Sequence, residues 1–440
     1  VFIPTVRNAY TDVVVGGFWR TGLQVVNLSR DATLRIQIRY VDSAGNTAAT
    51  QVTPTLGPGE SQTYFGASMS APEGFNGSAI ITANGAIGVV ANQLTQDTGL
   101  TGSFNGVTAT GRRVFVPIAL RGANATDLNT SLFIQNAGDT QANAVSVRFY
   151  RRDQIDPAVT IPLNDPIPPG ATRELNQALQ QAELDQGFEG SAVVESDQPV
   201  AIVVNQSNGR TLMSSTGQPD GFNRLFGPLV MNNNNGFNST VIVQNTGNAV
   251  TSVTVSTFRA GSGERVSQET RTIAPGAATN WTTAQLARTG ERFIGSVTVD
   301  VASGGSAIGL VNQLNVATNQ GSAYALFAGG SATIVAPLVQ TANNGFNTGF
   351  QVQNVGSRTV DVTVVVTETS GRRIDVPNQV RSIAPGESET WFPITELGTR
   401  VIGSATAFAI EGSQLVGVVN QLNQEAGAVD FFSTYETLPR

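Results

Sequence analysis

The chain has 440 residues, a formal net charge of −7 and neither cysteine nor histidine, and all 25 of its basic residues are arginine. These absences exclude the usual transition-metal sites, a thiol nucleophile, an imidazole base, a lysine Schiff base and a P-loop. The composition therefore predicts no enzyme activity, no cofactor and no metal site. Acidic residues are scattered and no basic stripe occurs, so nucleic acid is not an expected partner.

The surface composition favours a location outside the cell. Charged residues make up 13% of the chain, about half of the roughly 25% that is usual for soluble domains. No apolar run approaches the ~20 residues that span a bilayer, and no charged and apolar leader occurs at the start. We expect an extracellular or cell-surface chain without a membrane-spanning segment, exported with its signal peptide removed; a cytosolic protein would share the missing leader.

Whole blocks of sequence recur four times along the chain. Asn27, Asn136, Asn245 and Asn354 are each 109 residues apart, and Pro-Gly pairs occur at 58–59, 169–170, 275–276 and 385–386. A period of this length is one small domain rather than a solenoid turn. The sequence thus predicts four tandem domains, with the bounds 1–112, 113–224, 225–332 and 333–440.

Within each predicted domain, short segments alternate apolar and polar residues. Leu23–Asn27 and its counterparts come first, followed by runs such as Leu34, Ile36, Ile38 and Tyr40. The Pro-Gly turn comes next, because proline fixes φ and glycine permits positive φ. Such alternation between turns predicts an all-β sandwich in each domain, in which one face of every strand is buried.

The second half of each predicted domain starts five residues after the Pro-Gly glycine, at a large side chain. These large side chains are Tyr64, Leu175, Trp281 and Trp391. We expect core packing there rather than a carbohydrate platform. A short helix is predicted over Leu175–Leu184. Gly-Ser pairs then begin two further strands, the second of which carries Asn-Gln, and a last strand such as Val429–Tyr435 completes about eight per domain.

The fourth repeat carries the clearest block, with Pro337-Leu338-Val339, Asn344-Gly345-Phe346-Asn347-Thr348, Val352-Gln353-Asn354, Gly403-Ser404-Ala405 and Val418-Val419-Asn420-Gln421. This block resembles the immunoglobulin-like β-sandwich repeat family of bacterial cell-surface and extracellular proteins. The resemblance covers the whole chain, four times. It implies four immunoglobulin-like domains of about 110 residues and display outside the cell, without implying an activity.

Three groups of polar residues are candidate sites. The repeated Asn-Gln pair is interpreted as satisfying backbone groups at a strand end rather than as a ligand-binding amide pair. The Asn-rich turns at residues 232–236 and 343–345 lack the carboxylate spacing of a calcium loop. Carboxylate pairs such as Glu183 with Asp185 or Glu387 with Glu389 occur in single repeats, which argues against a glycosidase.

The favoured function is a non-enzymatic structural subunit of an extracellular filament, sheath or surface layer, which assembles with itself non-covalently and head to tail. Short linkers imply that neighbouring domains touch, so the two chain ends would present complementary surfaces to other copies. Strand exchange through Val1–Val6 or Val429–Tyr435 is a less favoured form of that contact. The expected assembly interface consists of Val1, Phe2, Ile3, Phe18, Trp19, Phe431, Phe432 and Tyr435.

The alternative is a multi-domain adhesin that binds a cell-surface polysaccharide through its aromatic residues. Phe18 and Trp19, in a segment where the first repeat departs from the others, are the candidates for that role. We favour an apolar contact with another domain for them. Asn-x-Ser/Thr triplets also give candidate glycosylation sites. These lie at Asn76, Asn124, Asn129, Asn238 and Asn280.

Overall fold

The computed structural model describes residues 1–12, 16–123, 126–152, 154–177, 184–287, 292–375, 380–391, 400–423 and 430–440. Nearly all of its regular structure is β-strand, and every strand pair described is antiparallel. The prediction of an all-β fold is confirmed. The strands fall in four consecutive stretches, residues 2–105, 111–216, 224–325 and 333–439, which we call repeats 1 to 4.

The strands of the four repeats have the following bounds. Repeat 1 contains β1 (Phe2–Asn8), β2 (Tyr10–Thr11), β3 (Phe18–Asn27), β4 (Ile36–Val41), β5 (Thr47–Val52), β6 (Ser61–Tyr64), β7 (Phe75–Ala83), β8 (Ile87–Thr95) and β9 (Thr101–Asn105). Repeat 2 contains β10 (Gly111–Arg121), β11 (Asn129–Asn136), β12 (Val145–Arg151), β13 (Val159–Leu163), β14 (Thr172–Asn176), β15 (Phe188–Ser207) and β16 (Leu212–Thr216). Repeat 3 contains β17 (Arg224–Asn232), β18 (Asn238–Asn245), β19 (Thr251–Arg259), β20 (Arg265–Ile273), β21 (Ala278–Trp281), β22 (Phe293–Val301), β23 (Ala307–Asn315) and β24 (Gln320–Ala325). Repeat 4 contains β25 (Thr333–Thr341), β26 (Phe346–Asn354), β27 (Val360–Glu368), β28 (Arg373–Asp375), β29 (Arg381–Ile383), β30 (Ser388–Trp391), β31 (Val401–Phe408), β32 (Leu415–Asn423), β33 (Phe432–Glu436) and β34 (Leu438–Pro439).

The strand order repeats from one stretch to the next. In repeat 3 one sheet has the order β17-β22-β19-β20 and the other β21-β18-β23-β24. Repeat 1 has the corresponding orders β1-β7-β4-β5 and β6-β3-β8-β9, and repeat 4 has β25-β31-β27-β28 and β30-β26-β32-β33. In repeat 2 the continuous strand β15 takes part in both halves, so its strands form one seven-stranded sheet.

The large residues that follow the Pro-Gly turns lie in the hydrophobic cores. Trp281 and Trp391 are at most 1% exposed, and Tyr64 and Leu175 are also buried. A carbohydrate platform would need exposed rings, so these positions serve packing. The predicted helix over Leu175–Leu184 is wrong at its start, because Leu175 pairs with Leu132 in a sheet; residues 178–183 lie outside the described residues. The corresponding place in repeat 3 holds a four-residue helix, α1 (Thr283–Leu286).

The asparagine that recurs every 109 residues ends the second long strand of each repeat and ties two loops to it. The Nδ2 of Asn245 donates to the carbonyls of Ala249 at 2.8 Å and Ile273 at 2.9 Å, and its Oδ1 accepts the Gly247 amide at 2.8 Å. Asn27, Asn136 and Asn354 make the same three kinds of contact. These three hydrogen bonds satisfy a buried amide, which explains why asparagine recurs at this position.

Candidate functional site: four junctions around one axis

The same hydrogen bond joins each repeat to the next. A serine hydroxyl at the start of a strand donates to the carbonyl of the Pro-Gly glycine in the following repeat. The pairs are Ser78 to Gly170 at 2.6 Å, Ser191 to Gly276 at 2.8 Å, Ser296 to Gly386 at 2.6 Å and Ser404 to Gly59 at 2.8 Å. The last pair runs from repeat 4 back to repeat 1, so the four repeats form a closed ring within one chain.

Both halves of the recurring Gly-Ser and Pro-Gly pairs have a structural reason. A Cβ on Gly190 would lie 1.9 Å from the Tyr150 carbonyl oxygen, so only glycine permits that close strand approach. Its neighbour Ser191 then points its hydroxyl across the junction. On the receiving side, Gly276 has a φ of +75°, the left-handed region that glycine adopts without a steric penalty. This turn presents the Gly276 carbonyl to the preceding repeat.

The last long strand of each repeat lies at the centre of the ring. We call β9, β16, β24 and β33 the axial strands. β9 packs against β16, β16 against β24, β24 against β33, and β33 against β9. In the described part of the chain each axial strand is the edge of its sheet, and the four edges pack on one another around a common axis. The ring therefore covers four sheet edges that would be exposed in separate domains.

The repeated Asn-Gln pair links consecutive repeats through its side chains. Gln93 Nε2 donates to Asn205 Oδ1 and Asn205 Nδ2 donates to Gln93 Oε1, both at 3.1 Å. Gln206 and Asn312 form the same reciprocal pair at 3.1 and 2.8 Å. The glutamine of one repeat thus meets the asparagine of the next. The interpretation that these residues satisfy backbone groups at a strand end is wrong for these two junctions, where the side chains bond to each other.

The other two junctions depart from this amide pair. Between repeats 3 and 4, Gln313 Nε2 donates to Thr434 Oγ1 at 3.2 Å, and that hydroxyl donates to Asn420 Oδ1 at 2.7 Å. Between repeats 4 and 1, Gln421 turns inward and donates to the Leu338 carbonyl at 2.9 Å. Asn92 accepts the Ser103 hydroxyl of its own repeat at 2.6 Å. The amide side chains therefore bond to each other directly at two junctions and through the Thr434 hydroxyl at a third. At the fourth junction they bond within their own repeats.

A single buried carboxylate lies where the axial strands begin. Asp430 is 0% exposed, and its oxygens accept the amides of Leu212 at 2.5 Å and Gly321 at 2.9 Å. The Thr101 amide is a third donor. The donors belong to repeats 2, 3 and 1, at equivalent places on their axial strands. Burial raises the pKa of the Asp430 carboxyl well above its ordinary value, and the three amide hydrogen bonds oppose that rise.

A second acidic residue lies at the other end of the axial strands. Glu436 Oε1 accepts the Ala325 amide at 2.5 Å, and the Glu436 carbonyl accepts Asn105 Nδ2 at 2.8 Å. Burial raises the pKa of Glu436 to about 7 against the lowering effect of the Ala325 amide. The side chain borders an open cavity of about 290 Å³ to which all four repeats contribute, including Thr216 of repeat 2. The axis thus has a polar residue of repeat 4 at each end.

The predicted interface residues at the start of the chain lie within repeat 1. Ile3 is fully buried in the core, whereas Val1 and Phe2 are partly buried. The terminal amine of Val1 donates to the Ile81 carbonyl at 2.9 Å, and Phe2 pairs with Val107 as an isolated bridge. In this structure the segment Val1–Val6 is paired with β7 of its own chain through β1.

Phe18 and Trp19 occupy different environments. Phe18 is partly buried, with the Arg20 guanidinium 5.4 Å from its ring centre. Trp19 is 2% exposed and packs with Leu100 and with Leu212 of repeat 2. Its Nε1 donates to the Gly16 carbonyl at 2.8 Å. Trp19 therefore contributes to the junction between repeats 1 and 2, while Phe18 stays at the surface.

The predicted interface residues near the end of the chain contact repeats 3 and 4. The Phe432 ring lies 4.8 Å from the Phe237 ring of repeat 3, and the Phe431 ring lies 5.7 Å from Phe346 of its own repeat. Tyr435 is fully buried, and its hydroxyl bonds to the Leu338 carbonyl. Val429, the first residue of the predicted last strand, lies outside the described residues.

The candidate glycosylation sites are unequally accessible. Asn76 and Asn238 are exposed, and Asn129 is partly buried near the start of β11. Asn280 is partly buried, and its Nδ2 donates to Glu189 of repeat 2 at 3.4 Å. Asn124 lies outside the described residues. Of these sites, Asn76 and Asn238 have the most room for a glycan.

No group of three acidic side chains that could hold a metal ion occurs in the described part of the chain. Within those same residues, no helix has the length and apolar character needed to cross a bilayer.

The carboxylates of Glu387 and Glu389, considered as a pair in the sequence, have different surroundings and partners. Glu387 is buried and accepts the Ala384 amide at 2.7 Å, whereas Glu389 pairs with Arg381 at 2.9 Å.

The sequence reasoning missed Asp430 and Glu436. Each is an acidic residue of repeat 4 without an acidic counterpart in the other repeats, so a search for recurring residues does not find it. The signal that could have found Asp430 is its place beside the aromatic pair Phe431-Phe432, where an isolated carboxylate needs a partner if it is buried. A search for departures from the repeat, in addition to its recurring residues, would select such positions.

Comparison with known proteins identifies no family. No protein-family model matches the chain, and no curated protein matches it in sequence. Among solved structures, the chain is similar to the one described as the crystal structure of Thermotoga maritima 1070. That match has 23% identity and a TM-score of 0.20, and covers 25% of this chain and 95% of the other. A match to Escherichia coli alpha-2-macroglobulin activated by porcine elastase has 10% identity and a TM-score of 0.11, and covers 98% of this chain and 43% of the other.

Proposed function

We propose that the chain is a non-enzymatic structural protein of the cell exterior whose working unit is the closed ring of four repeats. Each repeat is, in this proposal, a β-sandwich of the immunoglobulin-like class with its own strand order. The second strand pairs with the second-last strand rather than with the first, as β18 does with β23, so the class is shared at the level of architecture. A weakly charged surface supports a location outside the cell.

The single observation that carries the proposal is the serine-to-glycine hydrogen bond at all four junctions. A chain that uses identical contacts to hold its own domains in place gains rigidity without disulfides or lysine cross-links. Fixed relative positions are what a scaffold or a surface lattice needs from its subunit. Catalysis, by contrast, needs a cluster of reactive groups, and the residues at the axis are mainly amides and hydroxyls.

Head-to-tail assembly belongs to this proposal in a conditional form. The contact that repeat 4 would offer to another copy is made to repeat 1 of the same chain, through Ser404 and Gly59. A filament of this kind therefore requires that junction to open, after which repeat 4 of one chain binds repeat 1 of the next. This is the logic of domain swapping, in which one interface serves both the closed and the assembled form.

The positions of Phe18 and Trp19 give less support to the adhesin alternative. Trp19 is buried at a junction, so Phe18 alone of the two aromatic residues is available to a polysaccharide. Binding to a cell-surface polysaccharide stays a prediction, and its test is the Phe18→Ala variant. Loss of binding to isolated cell walls in that variant, with an unchanged melting temperature, would favour the adhesin.

The structural proposal is tested by weakening the closing junction. In Ser404→Ala the bond to Gly59 is lost, and in the matched variant Ser191→Ala the same bond is lost between two repeats that the chain already links. Because the closed and the assembled form share this junction, Ser404→Ala is expected to speed the exchange between them rather than to change their ratio. In concentrated samples followed by sedimentation and negative-stain microscopy, we expect oligomers to appear faster in Ser404→Ala than in the parent chain, and at the parent rate in Ser191→Ala. If both variants and the parent chain stay monomeric at every concentration, assembly by this route is contradicted.

A further inference from the structure

The junction between repeats 3 and 4 contains an apolar cavity. Its volume is about 240 Å³. Leu229, Met231, Phe237 and Ile294 line it from repeat 3. Gln351, Thr390, Asn420, Leu422 and Phe432 line it from repeat 4. An apolar cavity of about 150 Å³ is large enough to hold benzene, so this one accommodates a longer hydrocarbon body.

The repeats provide their own control for this cavity, because equivalent residues are identified by strand register. Gln351 pairs across β26 and β30 with Thr390, as Gln24 pairs with Thr63, Phe133 with Glu174 and Ile242 with Asn280. Each of these four residues faces the repeat that precedes it in the ring. The side chain at this position is therefore one of the groups that fill each junction, and Gln24 at the closing junction is fully buried.

Two junctions are filled by an apolar side chain at this position. Phe133 belongs to the hydrophobic core cluster of repeat 1, and its ring lies 5.5 Å from the Arg7 guanidinium. Ile242 is 5% exposed and belongs to the core cluster of repeat 2. The void that remains at the junction of repeats 2 and 3, next to Ile242, measures about 10 Å³. At the junction of repeats 3 and 4, Gln351 instead bonds within its own sheet, to Ser388 at 2.8 Å.

One charged side chain occurs among the described residues that line the cavity. Arg292 is the charged residue among the described lining residues, and it is exposed at the rim. Its Nε and one terminal nitrogen donate to Asn234 Oδ1 at 3.0 and 2.8 Å. This pair of bonds fixes the guanidinium beside the opening, and an arginine has five N–H donors. The remaining donors suit a carboxylate.

We propose that this cavity binds a small amphiphile with an apolar body and a carboxylate head, such as a medium-chain fatty acid. The apolar body replaces the side chain that Phe133 and Ile242 supply at the other junctions, and the carboxylate meets Arg292. Binding would also tie repeat 3 to repeat 4, because both repeats line the cavity. The proposal does not depend on whether the chain assembles into filaments.

Octanoate is the probe, with octanol to test the head group and acetate to test the apolar body. Titration calorimetry on the full chain is expected to show octanoate binding, and weaker or no binding of acetate. Gln351→Ile fills the cavity as Ile242 does and is expected to weaken octanoate binding by about tenfold or more. Gln24→Ile makes the same exchange at the closing junction, loses the same kind of serine and threonine contacts, and is expected to leave binding unchanged.

Arg292→Gln separates the two parts of the site. It is expected to weaken octanoate binding by about tenfold while leaving octanol binding within about twofold, because only the carboxylate of octanoate makes a charge-assisted hydrogen bond to the guanidinium. Three results would overturn the proposal: no octanoate binding by the parent chain, equal binding by Gln351→Ile, or equal losses in Gln351→Ile and Gln24→Ile. The last result would show a general effect of the substitution on stability.

Discussion

Three junctions of the ring join repeats that the chain also links covalently, whereas the fourth joins repeat 4 to repeat 1 with no chain connection. We call them the linked junctions and the closing junction. All four contain the serine-to-glycine hydrogen bond. The two classes differ in the side chains around the axis. At the closing junction Gln421 and Asn92 do not reach each other and instead bond within their own repeats.

At the closing junction, residues near the end of the chain make hydrogen bonds to repeat 1 in place of the amide pair. Glu436 offers its carbonyl to Asn105 at 2.8 Å, and a terminal nitrogen of Arg440 donates to the Ser29 carbonyl at 2.6 Å. Leu438 lies so close to Gly88 that a Cβ there would be 2.1 Å from its Cδ1. Residues 436–440, which we call the tail, therefore add contacts with repeat 1 to the closing junction. A junction without a covalent link needs its own contacts to offset the entropy of joining the two ends.

The largest expected effect is at Asp430, which connects repeat 4 to the other three repeats at once. Asp430→Ala leaves three buried amides without their acceptor, which is expected to lower the free energy of unfolding by about 2–4 kcal/mol. Urea denaturation followed by intrinsic fluorescence measures this. The control is Asp139→Ala, an exposed residue for which a change within about 0.5 kcal/mol is expected. A small change at Asp430 would contradict its role as the axial acceptor.

The next effect is a dependence of stability on pH at the tail. Because folding raises the pKa of Glu436 to about 7, the folded state binds its proton more tightly than the unfolded state. The contribution is fully present below the ordinary glutamate pKa and is lost as the pH rises to about 7. Asp430 acts in the same direction, since its pKa is also raised.

We therefore expect the parent chain to be more stable at pH 5 than at pH 8, and Glu436→Gln to reduce that difference by about 1–2 kcal/mol. Thermal melts of both proteins across this range measure the slope. The expected sign is a free energy of unfolding that falls as the pH rises from 5 to 8. A parent chain that gains stability between pH 5 and pH 8, or an unchanged slope in the variant, would contradict this account of the tail.

A smaller effect separates the two classes of junction directly. Ser404→Ala and Ser296→Ala each remove one neutral hydrogen bond, so each is expected to cost about 1 kcal/mol. Ser404→Ala is expected to speed hydrogen exchange of the backbone amides around Gly59 and on β9, because no chain link holds the closing junction when its contacts fail. Ser296→Ala is expected to leave the amides around Gly386 protected. Mass-spectrometric exchange reads both regions. Equal protection in the two variants would mean that the closing junction is as secure as the linked ones.

The smallest effect concerns the amide pair. A double-mutant cycle on Gln206 and Asn312, each changed to alanine, is expected to give a coupling free energy of about 0.5–1.5 kcal/mol. The same cycle on Gln421 and Asn92 is expected to give a coupling near zero, since these side chains bond elsewhere. Similar couplings at both places would remove the distinction between the linked junctions and the closing junction.

Much of each repeat follows from its own residues. The period of Asn27 and its counterparts, the alternation in segments such as residues 34–40 and the Pro-Gly turns predict four β repeats, because each is a local rule of strands and turns. The buried Trp281 and Trp391 follow from their fixed place after those turns. The short helix was wrong at Leu175, since residues spaced four apart can also lie in a strand when tertiary packing favours it.

The ring itself does not follow from these local rules. Short linkers imply that neighbouring repeats touch, but the rotation from one repeat to the next decides between an open fibre and a closed ring. That rotation depends on contacts such as Ser191 with Gly276, whose partners are 85 residues apart. Asp430 was missed for a different reason, because it occurs once and its partners are backbone amides that the sequence does not distinguish.

The central claim is that repeat 4 contacts repeat 1, and the absence of cysteine makes it directly measurable. Spin labels are placed on cysteines introduced two at a time at Arg30, Asp139, Asn248 and Ser357, which are exposed and lie at equivalent places three residues beyond the recurring asparagine. Pulsed electron paramagnetic resonance then gives the distances between pairs of repeats. A closed ring predicts that the 30–357 distance matches the 139–248 distance and is shorter than the diagonal 30–248 distance. A 30–357 distance longer than the diagonal, or a broad distribution confined to that pair, would contradict the ring.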